Sequence, residues 1–213
     1  MLRLLIGAAM LGSIAIATQA APAEPTLDEV RARVERFRDV RAALAAGYVP
    51  DPNGICETAG RIGQPAALGA MGIHYFRPDL LGITSGPGER ARGTGTHTDF
   101  RDPAILLYEP QADGSLELVG VENLVFADAW HAAGHSPPPS FHGRPYERME
   151  DDPATAADEA HGVAPHYDRH VWLFRANPNG VFAPFNPNVT CAHARSFAPD
   201  AAHAGHAPGQ RPN

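Results

Sequence analysis

One carboxylate stands among leucines. From Leu116 to Phe126 the chain reads L-E-L-V-G-V-E-N-L-V-F, and the even positions Leu116, Leu118, Leu124 and Phe126 fall on one face of a strand. Glu122 shares that face. Burying a bare carboxylate costs several kcal/mol or more, so Glu122 must be paired, ligated to a cation or held neutral. Two histidines repeat the pattern on other β-rich runs: His74 beside Phe76 in A-M-G-I-H-Y-F, and His170 beside Trp172 and Phe174 in H-Y-D-R-H-V-W-L-F. If these faces meet in one core, His74, Glu122 and His170 converge, with His142 of F-H-G-R-P-Y-E as a further histidine.

Two or three histidines and a carboxylate are the donor set of a mononuclear divalent metal site, and they do not distinguish zinc, iron, copper and manganese. Asp168, two residues before His170 on the same strand face, could ligate or orient it. His166 and His170 would share a helix face, but on a strand they stand about 13 Å apart, too far for one ion. The V-W-L-F continuation favours the strand, which leaves His170 as the ligand and His166 in reserve. A metal-free explanation covers the same residues: a histidine on an apolar face is often a hydrogen-bonded core residue, and Glu122 with His74 or His170 would make a buried pair.

These side chains need a sheet to hold them. Ala104–Phe126 reads as a hairpin, with two β-rich runs around P-Q-A-D-G-S. Thr26-Leu27-Asp28-Glu29 is a capping box, and Leu27, Val30, Val34, Phe37, Val40 and Leu44 recur at helical spacing until Gly47. Asp128–His135 reads as a short helix, and Val181–Phe185 as a returning strand. The glycine-rich run from Leu81 to Thr98 lacks the spacing and the following helix of a dinucleotide fold. It reads as a long mobile loop, or as a lid that would bring His97 and Asp99 over the hairpin face. The acidic stretch Glu150–Glu159 lacks the alternating oxygen ligands of a calcium loop and reads as solvated surface.

Composition removes several alternatives. With 21 glycines and 21 prolines, much of the chain must be loop and turn. There is no lysine, which excludes a Schiff-base lysine, a P-loop lysine and a kinase-type lysine. No G-x-S-x-G is present, which argues against a serine hydrolase of that type, and the paired H-x-H and spaced Glu of a cupin-like oxygenase is also missing. A net charge of −7 without a basic stripe argues against nucleic acid or anionic lipid as a partner and leaves a small molecule or metal ion. Oligomeric state is not legible.

Residues 1–20 combine Arg3, a short apolar run and Thr18-Gln19-Ala20, the pattern of a secretory signal peptide. No other stretch is long and apolar enough to span a membrane. The expected product is exported, periplasmic or extracellular. There Cys56 and Cys191, the only cysteines, would pair by default, a bridge worth about 4 to 5 kcal/mol in the chain-entropy model. The expected organisation is a signal peptide (1–20), a linker (21–25), one globular domain (26–191) and a disordered tail (192–213).

G-A-M-G-I-H-Y-F, L-L-Y-E…L-V-G-V-E, F-H-G-R-P-Y-E and H-Y-D-R-H-V-W-L-F together resemble an uncharacterised family of exported bacterial proteins over most of residues 40–191. More distantly, their order is similar to that of the plant oil-body-associated protein family: an H-x-Y strand, a hairpin ending in G-V-E, a histidine-containing Y-E segment and a His/Trp strand. That resemblance places His74, Tyr75, Glu122, His142, Tyr146 and Glu147 at matching positions. The residues expected to support the ligands from behind are Asp168, Tyr75, Tyr146 and His166. The tandem histidines of that family are single here, and the glycine-rich and acidic insertions are extra. Neither family implies a reaction.

The fold expected from these observations is α+β and loop-rich, an antiparallel sheet packed on an N-terminal helix with the His/Glu site on its inner face. The corresponding function is a secreted metal-binding protein, whose ion could serve an enzyme as Lewis acid or redox centre. The competing function is a non-catalytic envelope or extracellular binding protein in which the His/Glu cluster is a structural polar network.

Overall fold

A computed structural model describes residues 23–51 and 54–194. The proposed signal peptide and all but the first three residues of the proposed tail lie outside the described residues. The capping box forms as expected: the Thr26 hydroxyl accepts from the Glu29 N–H, and the Glu29 carboxylate accepts from the Thr26 N–H. Helix α1 (Leu27–Val34) passes into one 3₁₀ turn and stops, because Asp39 takes an extended backbone and caps a second helix, α2 (Val40–Ala45), through its carboxylate. The single helix expected up to Gly47 is therefore two. The break turns Leu44 out to solvent, whereas Val30, Val34 and Phe37 remain buried. Part of the expected linker is docked: Pro25 is buried, and Glu24 accepts from the backbone N–H of His142.

The strands are β1 (Val49–Pro50), β2 (Cys56–Thr58), β3 (Ala70–Phe76), β4 (Ile105–Pro110) and β5 (Leu116–Phe126). After helix α3 (Ala127–Ala132) come β6 (Ser140–Phe141), β7 (Arg144–Pro145), β8 (Glu147–Met149) and β9 (His166–Val171). These strands pair antiparallel throughout. The main sheet runs β1-β3-β4-β5-β9-β8, with β2 also on β3, while β6 and β7 pair separately. Val181–Phe185 is turn and irregular structure; its Val181 carbonyl accepts from the Trp172 N–H. The disulfide between Cys56 and Cys191 is formed and ties β2 to the C-terminal segment.

The two faces of the sheet are covered differently. On one face the helices bury Val30, Val34 and Phe37 against Tyr75, Tyr108, Val121, Val125 and Val171. On the other lie Ile105, Leu107, Leu124, Phe126 and Trp172, covered by Leu81 at the end of a short helical turn (Pro78–Leu81) and by loops that carry Ile83, Ala91 and Val163. The even positions of β5 do not make one face. The β4–β5 register shifts as Leu107 pairs with Gly120 and Tyr108 with Leu118, leaving Val119 as the bulged residue. Leu116 and Leu118 consequently face the helices, while Leu124 and Phe126 face the loops. Glu122, in phase with Leu124, goes to the loop side. The site therefore lies on the face opposite the N-terminal helix.

The glycine-rich run is ordered packing. Residues 82–84 pair back on 92–94 through Thr84 N–H to Arg92 O (2.9 Å) and Thr94 N–H to Gly82 O (3.0 Å). A β-carbon at Gly93 would stand 2.7 Å from the Phe126 ring, so glycine there serves close approach. Ala91 then joins the acidic stretch, donating to Gly162 O and accepting from Ala164 N–H, each at 2.8 Å. Arg90 pairs with Asp151 at 2.6 Å and also with Asp158. The two insertions thus form one strap across the loop-side face; the carboxylates of Glu150, Asp151, Asp152 and Asp158 stay exposed on it, as expected of a solvated surface, while the glycine-rich run is packed rather than a free loop.

Candidate metal centre

Sheet register brings three expected ligands together. Glu122 on β5 stands opposite His170 on β9 and Ile105 on β4, and the next strand, β3, supplies His74. His74 Nε2 lies 3.2 Å and His170 Nε2 3.3 Å from the same Glu122 oxygen, Oε2. Donor atoms of the three residues lie within 4.8 Å of one another. Two ligands each about 2.0–2.1 Å from a tetrahedral ion would be separated by about 3.3 Å, so the spacing is that of a shared coordination sphere. Flanking rings fix the imidazoles: Phe76 stacks on His74 at 5.9 Å and Trp172 on His170 at 6.2 Å.

The three residues are 0–3% exposed. Among the described residues, both Glu122 oxygens and both Nε2 atoms lack a partner with hydrogen-bond geometry. For His74, burial pulls the pKa down, but the close approach and charge of the Glu122 carboxylate, with help from Glu57 and Asp51, outweigh it and leave the pKa raised.

A second group adjoins the first. His166 and Asp168, on the same face of β9 as His170, meet His161 from the strap, and their donor atoms also lie within 4.8 Å of one another. The His161 ring stacks on His74 at 5.8 Å and meets His166 edge-on at 5.5 Å. Its backbone is left-handed at φ 39° and precedes Gly162 at φ 80°; the turn is held by the Ala160 N–H, which donates to Asp151 at 3.0 Å. Burial, then the charges of His166 and His74, push the His161 pKa well below the usual histidine value, so the ring is neutral near pH 7. Burial works to raise Asp168, but attraction to His166, His170 and His161 wins and holds it at about 2. That carboxylate stays ionised.

Other expected site residues lie elsewhere. His142 sits at a left-handed turn between β6 and β7, φ 49°, with Nε2 donating to Pro25 O at 2.8 Å and its ring against Phe141. It is anchored to the N-terminal segment and does not join His74, Glu122 and His170. Tyr75 alternates with His74 on β3, so it enters the helix-side core and meets Tyr108 at 4.8 Å. Tyr146 packs there too, near Phe100. Neither tyrosine backs the ligands. Phe174 lies beyond the end of β9 and turns to the helix side, under Arg38. His97 turns to the carbonyls of Asp99 and Asp102 at 3.1 and 2.8 Å, a loop-bracing role. Asp168 faces His166, at 3.7 Å, and supports the second group.

No known protein family, curated protein or solved structure matches the chain. What the arrangement can do must therefore be read from its chemistry. A cavity of about 180 Å³ opens beside the centre and includes His161, Phe76, Glu57, Glu89, Asp158 and Arg61 in its lining. Burial raises the pKa of Glu57 in this wall, its charge being partly balanced by Arg61 at 3.5 Å. Carboxylates outnumber cations around the opening, which favours positively charged solutes. His161 was not legible as a site residue: it lies in an irregular acidic stretch with no strand or helix phase, and only the strap brings it to the sheet.

Proposed function

We propose that the protein binds a divalent transition metal through His74, Glu122 and His170. The observation that carries this reading is the convergence of two imidazole nitrogens on one carboxylate oxygen at 3.2 and 3.3 Å, fully buried and without hydrogen-bond partners among the described residues. An unpaired buried carboxylate is costly, whereas a carboxylate and two imidazoles are ordinary ligands for zinc, iron, copper or manganese. Among the described residues, Glu122 forms ion pairs with histidines alone, and no arginine neutralises it. Three protein ligands leave a coordination position for water or a small molecule, the arrangement a metal-dependent enzyme needs.

The disulfide suits a non-reducing compartment, and no described helix is long and apolar enough to cross a membrane. Both fit the exported location suggested by residues 1–20. Metal analysis of protein purified without an affinity tag tests the reading. At least one equivalent of tightly held metal is expected, with loss from this site in His170→Ala and Glu122→Gln. A metal content unchanged by both substitutions would exclude these ligands and leave a buried hydrogen-bonded His–Glu–His network.

A further inference from the structure

We infer that His161, His166 and Asp168 form a second metal site beside the first, so that the loop-side face of the sheet holds a pair of ions. Two of these side chains are almost completely buried, His166 at 0% and Asp168 at 2% exposed. Nε2 of His161, Nε2 of His166 and Oδ2 of Asp168 all lack hydrogen-bond partners among the described residues. The tautomer of His166 makes this meaningful. Its Nδ1 lies 2.9 Å from the Ala164 carbonyl oxygen, which can only accept, so Nδ1 carries the proton. With Nδ1 committed to that carbonyl, Nε2 is the ring atom turned to Asp168 Oδ2, 3.7 Å away and too far for a hydrogen bond. A histidine fixed through Nδ1 to a backbone carbonyl with Nε2 turned inward is the usual preparation of a metal ligand.

The third donor comes from outside the sheet. His161 is held in a left-handed turn by Asp151, which is itself gripped by Arg90 from the other half of the strap. It also lines the cavity beside the centre, so a cation arriving there meets its ring before the buried groups. Along β9 the donors alternate on one face, with His170 in the first group and Asp168 and His166 in the second. The groups are offset by one same-face step, about 6.6 Å along a strand, longer than the about 3.5–4 Å of ions sharing a bridging ligand. Each ion would keep its own ligands, with the His161–His74 stack between them. The donor set, two imidazoles and one carboxylate, repeats that of the first site and selects the same class of divalent transition metal.

The test is a count of bound metal by equilibrium dialysis of the chelator-treated protein against Zn(II) and, separately, Co(II). Wild type is expected to hold two equivalents. Asp168→Asn and His161→Gly are each expected to hold one, and that one should disappear when Glu122→Gln is added. Glu122→Gln alone should retain the equivalent bound by the second site. His161→Gly guards against misfolding, because glycine accepts the left-handed backbone there and no strand is altered; circular dichroism of each variant checks the fold. Retention of one equivalent in Glu122→Gln and its loss on adding Asp168→Asn would support the second site even if the first reading failed. A wild-type value of one that Asp168→Asn and His161→Gly leave intact overturns the second site and spares the first. One equivalent abolished by either Glu122→Gln or Asp168→Asn means a single shared ion and also overturns it. No bound metal overturns both.

Discussion

The helix side of the sheet buries the larger core, and the two faces treat most of their buried polar atoms differently. On the helix side the tyrosine hydroxyls are spent on backbone carbonyls: Tyr48 donates to Pro103 O at 2.5 Å and Tyr108 to Phe37 O at 2.6 Å. On the loop side the histidines His74, His161, His166 and His170 and the carboxylates Glu122 and Asp168 present buried atoms without hydrogen-bond partners. A folded protein satisfies most of its buried polar groups, and a cluster of exceptions on one face marks a place where stability has been given up for binding. On the proposed reading the helix-side face is the scaffold, and the loop-side face carries the metal ligands.

The largest test of that division is Phe37→Ala. Removing this buried ring should cost about 3–5 kcal/mol in denaturant unfolding, while metal stoichiometry in the folded protein stays at the wild-type value. A changed stoichiometry would mean the faces are coupled. Next comes Glu122→Leu. Metal at a hundredfold excess over its Kd should stabilise the wild type by about 2.7 kcal/mol for each occupied site, and the total should shrink in the variant as the first site is lost. The metal-free variant should be no less stable than metal-free wild type, because an unsatisfied carboxylate has been replaced by an apolar side chain. If Glu122→Leu instead destabilised the metal-free protein by several kcal/mol, the cluster would be a structural network.

A smaller effect is expected from Tyr108→Phe, about 1–2 kcal/mol, since the Phe37 carbonyl loses its buried donor, again with metal binding intact. The smallest change in stability should come from Arg90→Ala. Its ion pairs with Asp151 and Asp158 are partly exposed and contribute below about 1 kcal/mol. The strap would nevertheless be loosened around His161, so metal release to a chelator, followed by stopped-flow absorbance, should be faster than in wild type.

Much of this arrangement was legible without coordinates. Thr26 and Glu29 announce the helix start by their spacing, and the turn at P-Q-A-D-G-S announces the hairpin, because both are local signals. His74, Glu122 and His170 were found by a single rule, an ionisable residue in phase with large apolar neighbours. The rule failed where phase is broken or undefined. The bulge at Val119 reverses β5, so Glu122 left the face of Leu116 and Leu118 and the site moved away from the helix. His142 lies on a two-residue turn and Tyr75 on the opposite side of its strand, and neither position follows from composition or from likeness of motif. His161 had no signal at all.

The sequence by itself determined which strands carry a misplaced charge, that the basic residues are arginines and histidines, and which cysteines could pair, because these depend on residue type and on contacts along one strand or helix. Tertiary structure alone decided which face each charge occupies, which histidines share a centre and what covers them. Those depend on one bulge, on register between strands distant in the chain, and on a strap closed by Arg90, Ala91, Asp151 and Gly162. No local propensity encodes a contact of that kind, since its energy appears only once both loops have met the sheet.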